Sequence, residues 1–194
     1  MTVNISVLFS GGGRTVLNIL DYIERDELDA NIVQTIASHS NIAGINLLAE
    51  RGLDVLIARN ENSTPEEGDA IVQMWLDETK PDLILLCGYL RLLIIEPWME
   101  NRILNIHPAL LPKYGGKGMY GMQVHEEVIR NGEIETGCTV HFVDEEYDHG
   151  TTILQRKCQV DQNDTPQIIA DRVFKLECEA YPTAIQLIAE QLKV

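Results

Sequence analysis

The sequence predicts an α/β fold: a doubly wound, mostly parallel sheet with an antiparallel extension in the C-terminal part. Through the first half of the chain, short β-branched and apolar runs alternate with segments whose apolar residues have helical spacing. Residues 83–87 are apolar at every position, which is typical of a strand buried on both faces of a parallel sheet. Residues 137–143 and 152–160 both have strand character with no helix between them, which favours antiparallel pairing.

The elements of the first half follow in a regular order. Strands are predicted at residues 5–9, 32–38, 54–58, 83–87 and 102–107. Between the first four strands we expect three helices: one with Val16, Leu17, Leu20 and Ile23 at helical spacing, one at residues 43–50, and one that ends before Pro81. Thr64, Pro65 and Glu67 form the pattern of a capped start for the third helix.

The second half begins with a glycine-rich loop at residues 114–121, which we expect to form part of a lid. A helix with Val124, Val128 and Ile129 on its apolar face follows this loop. After the two antiparallel strands, Thr165 and Pro166 indicate the start of a last helix, which we expect to be broken or bent near Pro182.

The bulk composition limits the class of protein. A chain of 194 residues suffices for one sizeable core and is short for two, so residues 1–194 are expected to form a single domain. The net charge of −15 argues against nucleic-acid partners, since phosphate-driven binding needs clustered cations. Four scattered cysteines without a C-x-x-C pair predict neither disulfides nor a metal site. Without a signal peptide or a membrane-length apolar run, we expect a cytoplasmic protein that does not bind membranes.

The first candidate site is the turn Gly11-Gly12-Gly13-Arg14-Thr15 between the first strand and the first helix. Such a turn presents backbone N–H groups and the positive end of a helix dipole, which suits an anion. Its pattern is neither a Walker loop nor a complete G-x-G-x-x-G, so nucleoside triphosphates and dinucleotides are disfavoured. A tight turn without any ligand is an equally good interpretation of this pattern alone.

The second candidate site is the pair Asn105 and His107 at the end of the fifth strand. Alternation along a strand places both side chains on one face, and open α/β sheets bind their ligands at this end. An amide beside an imidazole can polarise a carbonyl oxygen and handle a proton, as acyl transfer requires. A third, weaker signal is Asp148. It lies in an acidic loop, residues 143–150, where a tight bend could bring it to a histidine.

Together these segments resemble a known family. Residues 104–113, Leu-Asn-Ile-His-Pro-Ala-Leu-Leu-Pro-Lys, resemble the signature of the 10-formyltetrahydrofolate-dependent formyltransferases. Residues 136–143, followed by Asp148-His149-Gly150, are similar to the stretch that contains the catalytic aspartate of this family, and residues 88–91 resemble its folate-pocket strand end. The likeness covers nearly the whole chain and implies the Rossmann-like formyltransferase fold.

The resemblance also implies a reaction: the formyl group of 10-formyltetrahydrofolate passes to the amine of glycinamide ribonucleotide by direct attack and a tetrahedral intermediate. In this mechanism Asn105 would donate a hydrogen bond to the formyl oxygen, and His107 would stabilise the oxyanion as an imidazolium. Asp148 would hold His107 and help to relay a proton through water. The resting charge of His107 stays open, because a carboxylate partner favours the charged ring and burial opposes it.

The binding residues are likewise implied by the resemblance. The folate pocket would be lined by Leu90, Arg91, Leu92, Leu93, Asn105, Glu145 and Asp148. The substrate would be bound by Gly11, Gly12, Gly13, Arg14, Thr15 and Glu177, the glycine turn holding its phosphate and Glu177 its ribose. The phosphate loop of the family ends in Gly-Ser-Asn, whereas this one ends in Gly13-Arg14-Thr15, so the side-chain contacts to the phosphate must differ.

Other functions remain open at this point. A related formyltransferase could act on another amine, such as an amino sugar nucleotide or Met-tRNA, although tRNA enzymes carry an added domain and need a basic surface. A formyl-folate hydrolase would bring a further N-terminal domain. A non-catalytic nucleotide-binding module would need the glycine turn and would have no use for Asn105, His107 and Asp148. The expected partners are small molecules only, and the chain is expected to be a monomer or a weak homodimer.

Overall fold

The structure is a computed structural model and describes residues 2–192. Its strands are β1 (Val3–Phe9), β2 (Ala30–Ala37), β3 (Val55–Ile57), β4 (Leu83–Leu86), β5 (Ile103–His107), β6 (Glu135–Phe142) and β7 (Thr152–Gln159). Its α-helices are α1 (Arg14–Glu24), α2 (Gly44–Glu50), α3 (Pro65–Thr79), α4 (Met122–Arg130) and α5 (Pro166–Gln191), and a short 3₁₀ helix, Pro97–Met99, precedes β5. The predicted strands and helices are all present, with ends that differ by one to a few residues; the 3₁₀ helix was not predicted.

The strands form a seven-stranded sheet in the order β3-β2-β1-β4-β5-β6-β7. β1 is parallel to both β2 and β4, and β2 is parallel to β3. β6 and β7 are antiparallel. The predicted mostly parallel sheet with an antiparallel C-terminal extension is therefore confirmed.

The described chain separates into two compact units, residues 2–104 and 105–192. In the first unit, the completely buried strand β4 and the inward faces of α1 and α3 form the core. In the second unit, α5 packs on β6 and β7 and also contacts α4. The single-domain assignment stays a prediction.

The start of α3 has the predicted capping box. The Thr64 hydroxyl accepts a hydrogen bond from the backbone N–H of Glu67, and the Glu67 carboxylate accepts one from the backbone N–H of Thr64. Pro65 occupies the first helical position, where its missing N–H costs nothing.

The last helix is not broken at Pro182, so that part of the prediction is wrong. α5 runs without interruption from Pro166 to Gln191 and includes Pro182. A proline inside a helix costs about 3 kcal/mol. Here Ala180, Tyr181 and Pro182 are all buried, and the Thr183 hydroxyl donates to the carbonyl oxygen of Glu179 in the same turn. Burial of this face compensates for the missing backbone hydrogen bond.

Two further observations concern the described residues as a whole. Among residues 2–192, no helix combines the length and the apolar content that crossing a bilayer requires. Cys87, Cys138, Cys158 and Cys178 are all free thiols.

Candidate active site

The end of β5 brings together the three predicted side chains. Nδ2 of Asn105 lies 3.3 Å from Oδ1 of Asp148. Nδ1 of His107 lies 3.4 Å from the same carboxylate oxygen. An amide, an imidazole and a carboxylate from distant parts of the sequence therefore meet at one place, within the second unit.

Asp148 reaches β5 because the loop between β6 and β7 bends sharply. Asp148 has a φ of 55°, in the left-handed region that few residues other than glycine adopt. Its second oxygen, Oδ2, accepts a hydrogen bond of 2.9 Å from the backbone N–H of Gly116. Burial alone would raise the pKa of Asp148, but the neighbouring imidazoles of His141 and His107 and this N–H together lower it. Asp148 is therefore an anion in a nearly enclosed position.

The ring of His107 is buried, with 4% of the residue exposed. Its Nε2 lies 2.7 Å from the carbonyl oxygen of Tyr114, and since a carbonyl only accepts, the resting proton is on Nε2. Burial lowers the pKa of His107, and this outweighs the raising effects of Asp148 and of the Tyr114 carbonyl. The resting ring is thus neutral, and the nitrogen that can take a second proton is Nδ1, which faces Asp148.

His141 on β6 is a site residue that sequence reasoning did not identify. Its Nδ1 lies 2.7 Å from the carbonyl oxygen of Phe142, so the ring proton is on Nδ1 and Nε2 is an acceptor. Nδ2 of Asn105 donates to this Nε2 at 3.1 Å. The signal in the sequence was a histidine within residues 136–142, which are otherwise small or apolar, where a buried polar group needs a partner.

The turn after His107 is tied to the antiparallel strands. The buried hydroxyl of Thr139 donates to the carbonyl oxygen of Ala109 at 2.7 Å and accepts from the backbone N–H of Leu111 at 3.1 Å. Nε2 of Gln155 donates to the carbonyl oxygen of Leu111 at 3.0 Å. Thr139 and Gln155 therefore fix the path of the chain between His107 and Tyr114.

A cleft of about 450 Å³ opens beside Asp148. One wall consists of Leu111, Pro112, Gly115 and Gly116, and the other of residues 146–152. A volume of this size lies in the range of small-molecule sites. A contact between two residues of the acidic loop links its two sides: Oδ2 of Asp144 lies 2.7 Å from Nδ1 of His149.

The glycine turn in the first unit has the features expected of an anion site. Gly13 is the N-cap of α1 with a φ of 73°, so a residue with a side chain would be strained there. The carbonyl oxygen of Gly11 accepts from the N–H of Gly44 at 3.3 Å, which holds the turn against α2. Gly11, Gly12 and Arg14 are exposed and Thr15 is half-buried. The first turn of α1 thus presents N–H groups at the surface.

The predicted folate-lining segment 90–93 is irregular and also lies in the first unit. Leu90 and Leu92 are exposed, and Leu93 is half-buried. Arg91 makes two hydrogen bonds to the carboxylate of Asp69, so its guanidinium is paired within the protein. Its side chain is 40% exposed in this arrangement, so Arg91 can still line a pocket beside the ion pair.

The two remaining predicted residues have different environments. Glu145 is exposed at the tip of the acidic loop. Glu177 is half-buried on α5. The pKa of Cys138 on β6 is raised to about 12, mainly by burial of the thiol and next by the charge of Glu177. In residues 2–192, His, Cys, Asp and Glu do not form a group of three or more suited to a metal ion.

Known proteins resemble this chain over most of its length. The family model described as formyl transferase matches residues 3–185. The chain is 35% identical over 192 residues to the chloroplastic phosphoribosylglycinamide formyltransferase of Arabidopsis thaliana, which covers 96% of this chain. This chain spans 65% of the length of that plant relative.

Solved structures agree with this match. Glycinamide ribonucleotide transformylase 1 from Symbiobacterium toebii superposes with a TM-score of 0.84 at 31% identity, over 98% of this chain and 89% of that one. Phosphoribosylglycinamide formyltransferase from Brucella melitensis superposes with a TM-score of 0.85 at 32% identity, over 97% of this chain and 96% of that one.

Proposed function

The chain belongs to the formyl transferase family, and on this basis we propose that it transfers the formyl group of 10-formyltetrahydrofolate to the amine of glycinamide ribonucleotide. The observation that carries the proposal is the meeting of Asn105, His107 and Asp148 at the end of β5. The names of the similar proteins from Arabidopsis thaliana and Brucella melitensis support the choice of substrate.

Asn105 and His107 stabilise the charge that develops on the formyl oxygen when the amine attacks. Asn105 has two N–H hydrogens, and the longer of their hydrogen bonds, 3.3 Å to Asp148, is the one that can be exchanged for the formyl oxygen. His107 gains its second proton on Nδ1, where the carboxylate of Asp148 stabilises the resulting positive charge. A positive ring in a buried site stabilises a nearby oxyanion more than it would in water.

Asp148 performs two tasks in this proposal. It holds the ring of His107, and through water it relays the proton that the attacking amine loses to N10 of the folate. The bond between the formyl carbon and N10 then breaks, and tetrahydrofolate leaves with that proton. Its lowered pKa keeps it ionised for both tasks. The N–H of Gly116 fixes the carboxylate from the other side.

The folate supplies the formyl carbon as the electrophile when it is bound. The residues fit such a ligand, because the exposed Leu90 and Leu92 offer apolar surface for the pterin, with Leu93 and the stem of Arg91 beside them. Asn105, Glu145 and Asp148 complete the predicted set, with Glu145 in the loop that lines the cleft.

The phosphate of the substrate binds to the backbone N–H groups of the turn Gly11–Thr15. Because Gly13 takes the left-handed conformation, the chain enters α1 with the first N–H groups uncapped by a side chain. The side chains of Arg14 and Thr15 add a cation and a hydroxyl. The half-buried Glu177 binds the ribose hydroxyls.

The remaining parts of the proposal concern the whole protein. The two units act as one formyltransferase domain, since a single family model covers residues 3–185. The ligands are small molecules, and the net charge of −15 disfavours nucleic acids. We place the protein in the cytoplasm as a monomer or a weak homodimer that needs no metal.

The test is formyl transfer measured by absorbance as the folate is released. Glycinamide ribonucleotide should be formylated, whereas an amino sugar nucleotide should not. Asn105→Ala and His107→Ala should each lower kcat on the order of 10²-fold or more, as for the loss of an oxyanion donor. Asp148→Asn should lower kcat to a similar extent, because it removes the proton relay and the charge that stabilises the protonated ring of His107. Near-normal transfer by these purified variants, or activity with the amino sugar nucleotide alone, would contradict the proposal.

A further inference from the structure

Tyr114 is connected to the active site at one end and to the protein surface at the other. Its carbonyl oxygen accepts the 2.7 Å hydrogen bond from Nε2 of His107. Its hydroxyl donates to Oε1 of Glu133 at 2.9 Å. Its φ is 58°, in the left-handed region that a residue with a side chain rarely adopts. One residue in an unfavourable conformation therefore joins the catalytic ring to an exposed carboxylate network.

We propose that Tyr114, held by Glu133, is a positioning residue that determines which nitrogen of His107 carries the resting proton. The inference rests on the proposed function for its catalytic meaning, but it concerns the ring of His107 in the free protein. Sequence reasoning gave Tyr114 only a place at the start of the glycine-rich loop, and Glu133 no role.

The tautomer of His107 follows from its hydrogen bond to Tyr114. A neutral imidazole has one N–H, and the Tyr114 carbonyl, which only accepts, draws this N–H to Nε2. The lone pair of Nδ1 is then directed at Asp148, 3.4 Å away, where a second proton would lie between the ring and the carboxylate. If the carbonyl moved away, a proton on Nδ1 facing Asp148 would be the better resting arrangement. The ring would then have no free site beside the carboxylate.

The carbonyl keeps its place only if the left-handed conformation of Tyr114 is maintained. A conformation of this kind persists where the surroundings over-determine it. Here the hydroxyl of Tyr114 and the ammonium of Lys113 both donate to Oε1 of Glu133, which follows the end of α4. A hydrogen bond to a carboxylate is stronger than one between neutral groups. Glu133 thus fixes the ring of Tyr114 and, through it, the backbone carbonyl.

Three neighbouring groups act on the pKa of His107 from the elements around it. The Asp148 carboxylate and the Tyr114 carbonyl raise its pKa, and His141 lowers it, while burial is the largest effect and also lowers it. His125 on α4 is close enough for the charge of His107 to depress the pKa of His125. Displacement of the Tyr114 carbonyl removes one of the two raising effects, so the pKa of His107 should fall further.

The experiment is an NMR titration of ¹⁵N-histidine-labelled full-length protein without ligands, in which a His107→Gln variant identifies the His107 signals. Tyr114→Phe and Glu133→Ala should each lower the pKa of His107 by about 0.5 pH unit or more and move its resting proton from Nε2 towards Nδ1. Glu133→Gln retains an acceptor for the hydroxyl and should restore the Nε2–H signal. Lys117→Met, which removes an exposed cation from the same loop, is the matched control and should leave the titration unchanged.

The inference is overturned if folded Tyr114→Phe and Glu133→Ala proteins both keep the wild-type tautomer and pKa of His107. Glu133→Ala alters a half-exposed side chain and provides the test even if Tyr114→Phe does not fold. Because no substrate is present, the titration gives its answer whether or not the protein formylates glycinamide ribonucleotide. In the transfer assay, the same two variants should lose kcat about tenfold with little change in KM, a loss that Glu133→Gln should avoid.

Discussion

Asn105 and His141 are joined by a hydrogen bond of 3.1 Å from Nδ2 of the amide to Nε2 of the ring. The tautomer of the His141 ring determines the orientation of the amide. Its Nδ1–H donates a hydrogen bond to the carbonyl oxygen of Phe142, so Nε2 has a lone pair and needs a donor. An inverted amide would place its oxygen against the lone pair of Nε2. His141 therefore presents the N–H groups of Asn105, rather than its carbonyl oxygen, to the site.

Replacement of His141 by Leu should lower kcat by about 10- to 100-fold, because a misoriented Asn105 no longer donates to the developing oxyanion. KM for both substrates should change little, since the amide is needed mainly in the transition state. Initial rates over a range of both substrates would measure this. The double variant Asn105→Ala/His141→Leu should be no worse than Asn105→Ala alone; losses that multiply would show that His141 acts independently of Asn105.

A side chain at position 115 should lower kcat, because it would contact Asp148. A Cβ at this position would lie 2.5 Å from Cδ2 of Leu111 and 3.1 Å from Cβ of Asp148. The leucine methyl can move away, but the aspartate can yield only by shifting its carboxylate relative to His107. Gly115→Ala should therefore lower kcat by about tenfold, since small displacements at reacting groups are costly.

The double variant Gly115→Ala/Leu111→Val separates the two contacts. Removal of the leucine Cδ atoms relieves the first contact, so the stability lost in Gly115→Ala should be largely regained, as measured by urea unfolding. The kcat should stay low, because the contact with Asp148 remains. Recovery of kcat together with stability would mean that Leu111, and not Asp148, is the group that matters.

Thr139 should stabilise the segment that carries His107. Its side chain is completely buried and has hydrogen bonds to the backbone of both Ala109 and Leu111. Thr139→Val keeps the shape but leaves these groups without a partner, which should lower the free energy of unfolding by about 2 kcal/mol. Thr139→Ser, which keeps the hydroxyl, should lose less. Equal unfolding free energies for the two variants in urea would argue against this role.

His125 should make the protein less stable in mild acid. It is buried, its Nδ1 has no hydrogen-bond partner within the described chain, and burial followed by the charge of His107 lowers its pKa to about 4. Between an unfolded-state pKa near 6.5 and this value, the unfolded chain binds more protons than the folded one, so stability falls as the pH falls. From pH 7 to pH 5 the loss due to His125 should be about 2 kcal/mol.

The measurement is the free energy of unfolding in urea at pH 7 and pH 5, for the wild type and for His125→Phe. Other groups also titrate in this interval, so the informative quantity is the difference between the two proteins in their change with pH. Between pH 7 and pH 5, the free energy of unfolding of His125→Phe should fall by about 2 kcal/mol less than that of the wild type. Equal losses would mean that His125 is protonated in the folded state without penalty.

The sequence was informative wherever a pattern depends on burial or on alternation. Residues 83–87 are apolar throughout because β4 is buried on both faces, so the sequence alone predicts this buried strand. Alternation along β5 was enough to place Asn105 and His107 together. For Asp148 the local pattern gave only a weak signal, a tight bend in the acidic loop that could bring it to a histidine, and the resemblance gave the stronger one. No rule of spacing predicts the φ of 55° at this bend.

Patterns of burial and alternation do not predict contacts that are made by backbone atoms or that depend on tertiary packing. The Tyr114 carbonyl and the Gly116 N–H contact the site, but every residue type has these groups, so only the path of the turn identifies them. Arg91 was expected to face a ligand, and its pairing with Asp69 depends on where α3 lies. Pro182 predicted a break or a bend in the last helix, whereas α5 continues through Pro182 with the residues around it buried.

The turn at residues 114–116 contacts the reactive groups with main-chain atoms, while Lys117 and Tyr120, further along the same loop, point to solvent. A main-chain contact survives a change of side chain as long as the backbone keeps its course. Substitutions at positions 117 and 120 are thus free to alter what the loop meets outside the protein without changing how His107 and Asp148 are held. Within a few residues of one loop, the positions that can vary, 117 and 120, are thus distinct from the turn at 114–116 that holds the reactive groups.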